Sequence, residues 1–244
     1  AMDHGDGGRV IVWADDATRF NGTISARGGD NGGDGGFAEV SGKAYLSYNG
    51  IADLRAPHGE TGTLLLDPTN ITIAATDPDA DITASSTFGS SGDTDTSTLA
   101  IATLNAALDS GNVIVTTSSL GEGNGDVTIE NVTIQPDTGA GKTAANNDFT
   151  ITADGDITML AGTIDLNSGG FTATAGVTGD EGTILIFSDI TAGSITASAD
   201  DSSQFTGAVT ASTISGTLTA ASGSFTANDI QGASTITAST NNGN

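Results

Sequence analysis

Cysteine is absent from the chain, which excludes disulfides, thiolate metal sites and thiol nucleophiles. Cations are nearly absent: 6 Lys and Arg stand against 30 Asp and Glu, for a formal net charge of -24 over 244 residues. The six are Arg9, Arg19, Arg27, Lys43, Arg55 and Lys142, and residues 143–244 contain none. Binding a phosphate backbone or an anionic membrane surface needs clustered cations, so neither nucleic acid nor lipid headgroups are expected partners. No apolar run is long enough to span a bilayer, so no membrane insertion is expected. Aromatic residues make up only 5%, too few to fill a wide globular core with rings.

What is present is 36% hydrophobic residues, mostly small, set among Gly, Ala, Ser, Thr and Asp. This composition suits a thin core of many short strands with tight corners. Short β-forming stretches recur every 7 to 14 residues or so: Val10-Ile11-Val12-Trp13, Thr23-Ile24-Ser25-Ala26, Phe37-Ala38-Glu39-Val40, Tyr45-Leu46-Ser47-Tyr48, Leu64-Leu65-Leu66 and Ile71-Thr72-Ile73. Hairpin turns are few. Toward the C-terminus a unit of Gly, small, apolar, Thr, Ala, small repeats from Gly193, Gly207, Gly216 and Gly223, with a last copy from Ser234. Earlier versions lie at 149–153 and 170–174. At period two the apolar side chain faces in and the threonine faces out. Such a unit cannot bury its inward face alone, but stacked copies form one continuous narrow core. A parallel β-helix of about 20 residues per coil is the economical solution.

One stretch departs from this. Ile101, Leu104 and Leu108 follow helical spacing, which predicts an α-helix near 97–109, capped by Thr96 or Ser97 and closed by a left-handed Gly111. The expected organisation is therefore a β-helix part over 1–76, a loop and helix excursion or connector over 77–111, and a second β-helix part over 112–244. The helix either joins the two parts or covers an exposed end of the solenoid. Ala1-Met2 ahead of Asp3 reads as a cloning remnant, so the chain is expected to be a fragment of a longer protein.

The stretches Gly8-Arg-Val-Ile-Val-Trp-Ala-Asp-Asp16, Thr18-Arg-Phe-Asn-Gly-Thr-Ile-Ser-Ala-Arg-Gly-Gly29, Gly35-Gly-Phe-Ala-Glu-Val-Ser-Gly42 and Gly62-Thr-Leu-Leu-Leu-Asp-Pro-Thr-Asn-Ile-Thr-Ile73 carry a family resemblance. So does the helix followed by Gly111-Asn-Val-Ile-Val-Thr-Thr117 and Gly123-Asn-Gly-Asp-Val-Thr-Ile129. Over roughly residues 7–175 the chain resembles the filamentous-haemagglutinin-like exoproteins of Gram-negative two-partner secretion; from about 190 the match is one of style. The resemblance implies an all-β, right-handed parallel β-helix that is exported through an outer-membrane transporter partner and displayed at the cell surface, commonly as an adhesin. The implied role is non-enzymatic, a shaft or adhesive segment whose partner is a glycan or protein on a host or neighbouring cell. The alternative is a polysaccharide-active β-helix enzyme or glycan-binding module. An enzyme needs a lateral groove with close carboxylates, and a shaft does not.

The candidate chemistry is sparse. Gly28 to Gly36 packs Asp30, Asn31 and Asp34 among six glycines. It invites a calcium reading, with those three residues as oxygen ligands. The calcium-binding nonapeptide Gly-Gly-x-Gly-x-Asp fits neither register: from Gly32, Phe37 falls on the Asp position, and from Gly28, Asn31 falls on a Gly and Gly33 on the Asp. A corner between coils, with glycines supplying positive φ, explains the same residues. No other cofactor is expected. The carboxylate pairs Asp15/Asp16 and Asp154/Asp156 read as turns, and Asp200/Asp201 and the group Asp77, Asp79 and Asp81 are groupings expected by chance in so acidic a chain. His4 lies in a start expected to be disordered, and His58 in a Pro-His-Gly loop. The Asp67-Pro68 and Asp77-Pro78 bonds are acid-labile, though Pro68 fits a strand terminator. Thr-x-Thr pairs at 150/152, 172/174, 217/219 and 235/237 would make an ice-binding-like plane if stacked, but Thr is also an ordinary outward strand residue. Trp13, Tyr45 and Tyr48 are the glycan-stacking candidates, although Trp13 after three β-formers also suits core or edge packing. The corner reading predicts that millimolar calcium leaves the melting temperature unchanged; a calcium-dependent rise would make Asp30, Asn31 and Asp34 ligands.

Overall fold

A computed structural model describes residues 2–76, 96–118, 123–136, 146–177 and 182–213, with further strands at 215–220, 225–231 and 235–240. Asp77, Pro78, Asp79, Asp81 and Lys142 lie outside the described residues, as do the side chains of Thr217, Thr219, Thr235 and Thr237. The described chain forms a parallel β-solenoid of about six turns with one short helix, as the repeat pattern predicts. The first coil is β1 (Arg9–Ala14), β2 (Ala17–Phe20) and β3 (Thr23–Ser25), and the second is β4 (Phe37–Gly42), β5 (Tyr45–Tyr48) and β6 (Ile51–Asp53). The third holds β7 (Thr63–Pro68), β8 (Asn70–Ala74), β9 (Thr96–Ala100) and α1 (Ile101–Leu108). The fourth is β10 (Asn112–Thr116), β11 (Val127–Ile129) and β12 (Val132–Ile134), and the fifth β13 (Phe149–Ala153), β14 (Ile157–Met159) and β15 (Gly162–Asp165). Then come β16 (Gly170–Ala175), β17 (Thr183–Ile186), β18 (Asp189–Ala199), β19 (Ser202–Thr213), β20 (Ser215–Ala220), β21 (Phe225–Gln231) and β22 (Thr235–Thr240).

Every strand pairing is parallel. The first side runs β1-β4-β7-β10-β13-β16-β18, and the second runs β9-β8-β11-β14-β17-β19. On the third side β12 pairs β15, and β15 pairs the start of β18, which then bends to join the first side as well. Because each strand sits in register on the one before, identical positions stack into columns. Val10, Ala38, Leu64, Val113, Phe149, Phe171 and Ile195 form one inward column. Phe149 and Phe171 lie with ring centroids 6.0 Å apart. Outward, Thr150 and Thr152 stack on Thr172 and Thr174, and these on Thr196 and Ser198. Burying one large aliphatic or aromatic chain is worth about 1.5–3 kcal/mol, so a narrow core suffices when it is continuous.

The corner entering the first side is occupied by Gly8, Gly36, Gly62, Gly111, Asn147, Gly169 and Gly193 in successive coils. The main chain passes directly over the preceding coil there. A Cβ on Gly62 would stand 2.0 Å from the Gly36 carbonyl oxygen, and one on Gly36 2.1 Å from that of Gly8. Gly8, in the first described coil, has nothing within 4 Å of such a Cβ. Asn147 departs from the pattern because its buried amide donates to the Leu108 carbonyl at 2.6 Å, closing the helix end.

The helix is shorter than its spacing predicts. Residues 96–100 are a strand paired with β8, and Ser97 is buried with its hydroxyl accepting the Leu46 N–H at 2.8 Å. Ala100 takes the N-cap position, without a side-chain bond. At the other end Asp109 N–H bonds the Asn105 carbonyl at 3.0 Å, and Gly111 is not left-handed; its Cβ would meet Gly62 and Leu54 instead. Leu104 and Leu108 are buried, as expected. The helix lies in the wall of the solenoid as part of an excursion between coils. It fills the third side between β6 and β12, while β7 and β10 pair directly across the excursion. Its Asn105 amide imitates a strand: Nδ2 donates to Thr133 O at 3.2 Å and Oδ1 accepts Gln135 N–H at 2.9 Å.

Gly62→Ala is expected to destabilise the fold by about 3 kcal/mol, since two backbones must part, while Gly8→Ala leaves it unchanged within about 0.5 kcal/mol. Urea denaturation of the two variants measures the difference; equal midpoints would contradict the close approach.

Candidate functional site

The glycine-rich corner carries the chain from β3 to β4. Gly32 and Gly33 take φ values of 149° and 117°, and a Cβ on Gly33 would stand 2.1 Å from Gly5 O. The glycines are thus required by conformation and by close approach. The start of the chain is ordered over this corner: Gly5 N–H bonds Gly32 O at 2.9 Å, Gly7 N–H bonds Asp34 O at 2.7 Å and Asn31 N–H bonds Asp3 O at 2.8 Å. His4 forms a parallel bridge with Gly32 and sits 3.3 Å from the Asp3 carboxylate. The expectation of a disordered start was wrong because its bonding partners lie a full coil away.

The three calcium candidates face different tasks. Asp30 is exposed at the tip. The Asn31 amide donates to the Asp3 carboxylate. Asp34 accepts Glu60 N–H at 2.9 Å through Oδ1, and its own N–H goes to Asp6 Oδ1 at 2.9 Å. Among the described residues no three His, Asp or Glu side chains converge as a metal site.

The Asp6–Asp34 relay is one of several. Asp148 N–H bonds Asn112 Oδ1 at 2.9 Å, and Gly170 N–H bonds Asp148 Oδ1 at 2.7 Å. On another corner Asn70 Oδ1 accepts Gly125 and Asp126 N–H, Asp126 Oδ1 accepts Asp156 N–H, and Asp156 Oδ1 accepts both the N–H and hydroxyl of Thr183. Side-chain oxygens here satisfy main-chain donors of the next coil where the ladders break. A second acid is anchored by cations: the Arg55 guanidinium, bonded at 2.7 and 2.8 Å, and Arg27 at 2.8 Å hold the Asp53 carboxyl well below the usual carboxylate range.

The stacking candidates do not form one platform. Trp13 is exposed on the outer face of β1, the first strand of the first side. Tyr45 is half-buried on the second side. Tyr48 is buried, so it cannot meet a sugar: its ring stacks on Phe20 with centroids 5.7 Å apart, and burial raises its phenol above the usual range.

The most unusual chemistry involves Asp67, which the sequence marks only as part of an acid-labile Asp-Pro bond, and Glu39, which it does not mark. On the outer face of the first side, Trp13, Ser41 and Asp67 form one row, and Ile11, Glu39 and Leu65 the next. Glu39 accepts the Ser41 hydroxyl at 3.1 Å and lies 4.0 Å from Arg9, whose guanidinium covers the Phe37 ring at 4.8 Å. Asp67 is pushed up to about 6, chiefly by burial, then by the negative charges of Glu39 and Asp154. An open groove of about 400 Å³ lies at the entry corner of this side, lined by Arg9, Asp34, Phe37, Glu60 and corner glycines, and neither Glu39 nor Asp67 lines it. A carboxyl raised next to another carboxylate can exchange a proton near neutral pH. Acids are so frequent in the chain that this pair carries no sequence signal of its own; only strand register places it.

Comparison with protein-family models gives no match, and a search of curated proteins gives none either.

Asp67 sits above its unfolded value, so its protonated form favours folding. That contribution is complete below about pH 4 and is lost as pH rises through about 6. Asp67→Asn is therefore expected to melt about 2–4 °C above the parent at pH 8, solvent screening keeping the effect modest, with the gap closing at pH 4. A gap independent of pH would show that Asp67 ionises normally.

Proposed function

We propose that this chain is a non-enzymatic shaft or adhesive segment of a large secreted surface protein of the filamentous-haemagglutinin-like, two-partner-secretion class. The observation that carries the reading is the unbroken first-side ladder, from β1 to β18, over one continuous apolar core. Stacked ladders resist bending and stretching along the stack, which suits a rod that holds a binding surface away from a cell. The family resemblance of residues 7–175 supplies the location and the route: export through an outer-membrane transporter to the cell surface. The corner aspartates support the same reading, because several serve main-chain donors of neighbouring coils. The partner on this reading is a glycan or protein of a host or neighbouring cell, and Trp13 is an exposed ring available to it.

A second reading rests on the raised Asp67 diagonal to Glu39 on the outer face of the first side: a polysaccharide-active enzyme in which Asp67 is the acid and Glu39 the carboxylate. Incubation with a panel of polysaccharides separates the two. The shaft reading predicts no release of reducing ends or unsaturated sugars, while a glycan array finds retention of whole glycans that weakens in Trp13→Ala. Release that disappears in Asp67→Asn would replace the shaft by the enzyme.

A further inference from the structure

The coils are not joined equally. Between the first and second coils all three sides are paired: β1 with β4, β2 with β5 and β3 with β6. The fourth and fifth are likewise joined by β10 with β13, β11 with β14 and β12 with β15. Between the second and third coils β4 and β7 are the one strand pair among the described residues. On the second side β2 and β5 form a sheet of their own, and β9 lies beside β5 without pairing it. Among the described residues the main link there is the Leu46 N–H donated to the Ser97 hydroxyl at 2.8 Å. On the third side β3 and β6 also stand alone. The helix interrupts the ladder, and Leu54 N–H reaches the Ser110 carbonyl at 3.2 Å. The second coil also holds a buried Tyr48 hydroxyl with no hydrogen-bond partner among the described residues.

We propose that the junction between the second and third coils is a built-in seam, at which the two N-terminal coils, β1 to β6, detach and unfold as one unit while the remaining solenoid stays folded. Two sheets that end at the same level leave one ladder, single hydrogen bonds such as Leu46 N–H to the Ser97 hydroxyl, Glu60 N–H to Asp34 and the Thr69 hydroxyl to Lys43 O, and apolar packing to hold the unit. Stacked-coil proteins draw their stability from neighbour interfaces, and two coils alone fall short of the roughly three repeats that a solenoid needs. Opening the seam therefore unfolds both coils together. The inference stands on the topology alone, whether the chain is a shaft or an enzyme; in a shaft it would be the first place to yield under load.

Native-state hydrogen exchange at low denaturant tests it. The amides of Asn49 and Ile51 bond back to the first coil, through Phe20 O at 2.8 Å and Gly22 O at 3.0 Å. Those of Val113 and Val127 bond within the later coils, to Asp148 O at 2.9 Å and Asp156 O at 2.8 Å. Asn49 and Ile51 are expected to exchange at least about tenfold faster than Val113 and Val127, with one denaturant dependence shared by the first two coils. Ser97→Ala is expected to widen that step several-fold and leave Val113 and Val127 unchanged. Equal rates on both sides, a gradual rise toward the N-terminus without a step, or an equal effect of Ser97→Ala throughout would each overturn the seam.

Discussion

Each coil has to lay its main chain directly on that of the coil before it, and nearly everything else in the molecule follows from that contact. A strand can add in parallel register only if side chains at the ladder repeat in size and polarity, and the corners can close only if nothing projects between successive backbones. The glycine column meets the second condition at one edge: at Gly36 and Gly62 a single methyl would collide with a carbonyl of the previous coil. Where a residue other than glycine enters this column, at Asn147, its side chain is committed to capping the helix. The register in turn fixes the core, because the position that is Val113 in one coil is Phe149 and Phe171 in the next two.

The same contact explains the acidity better than solvation alone does. A corner is where a ladder breaks, and main-chain donors there need acceptors that do not depend on the strand pattern. Aspartate and asparagine supply them one coil away, as Asp34, Asp148 and Asp156 do. With so few cations in the chain, repulsion between the remaining acids is relieved locally, by Arg27 and Arg55 at Asp53, or by raising a carboxyl, as at Asp67. The feature that resembles an active site is thus also a consequence of stacking acids on one face of a sheet.

The alternation of inward and outward residues, the Gly-x-apolar-Thr-Ala unit and the glycine corner were legible in the sequence because their causes are local. Phe149-Thr-Ile-Thr-Ala153 faces in and out as its period says, and Gly32 and Gly33 adopt the positive φ that a glycine-rich corner predicts. The features that were not legible have their causes a coil away. Ser97 caps no helix because Leu46, 51 residues earlier, takes its hydroxyl. Tyr48 shares the inward face of Leu46, and register with the preceding coil sets its ring on Phe20. The Asp67 and Glu39 pair, like the helix's place in the wall, appears only once strand order is known.

In-register stacking is the central claim, and the absence of cysteine makes it directly measurable. Ladder partners on neighbouring strands lie about 5 Å apart, whereas partners offset by two residues lie about 8 Å apart, beyond the reach of a disulfide. Thr152 and Thr174 are such partners on the outer face; Thr152 and Thr172 are offset. Under mild oxidation, Thr152→Cys with Thr174→Cys should form an intramolecular disulfide readily, and Thr152→Cys with Thr172→Cys should not. Faster closure of the offset pair, or no closure of either, would contradict the register on which the core, the corners and the seam all depend.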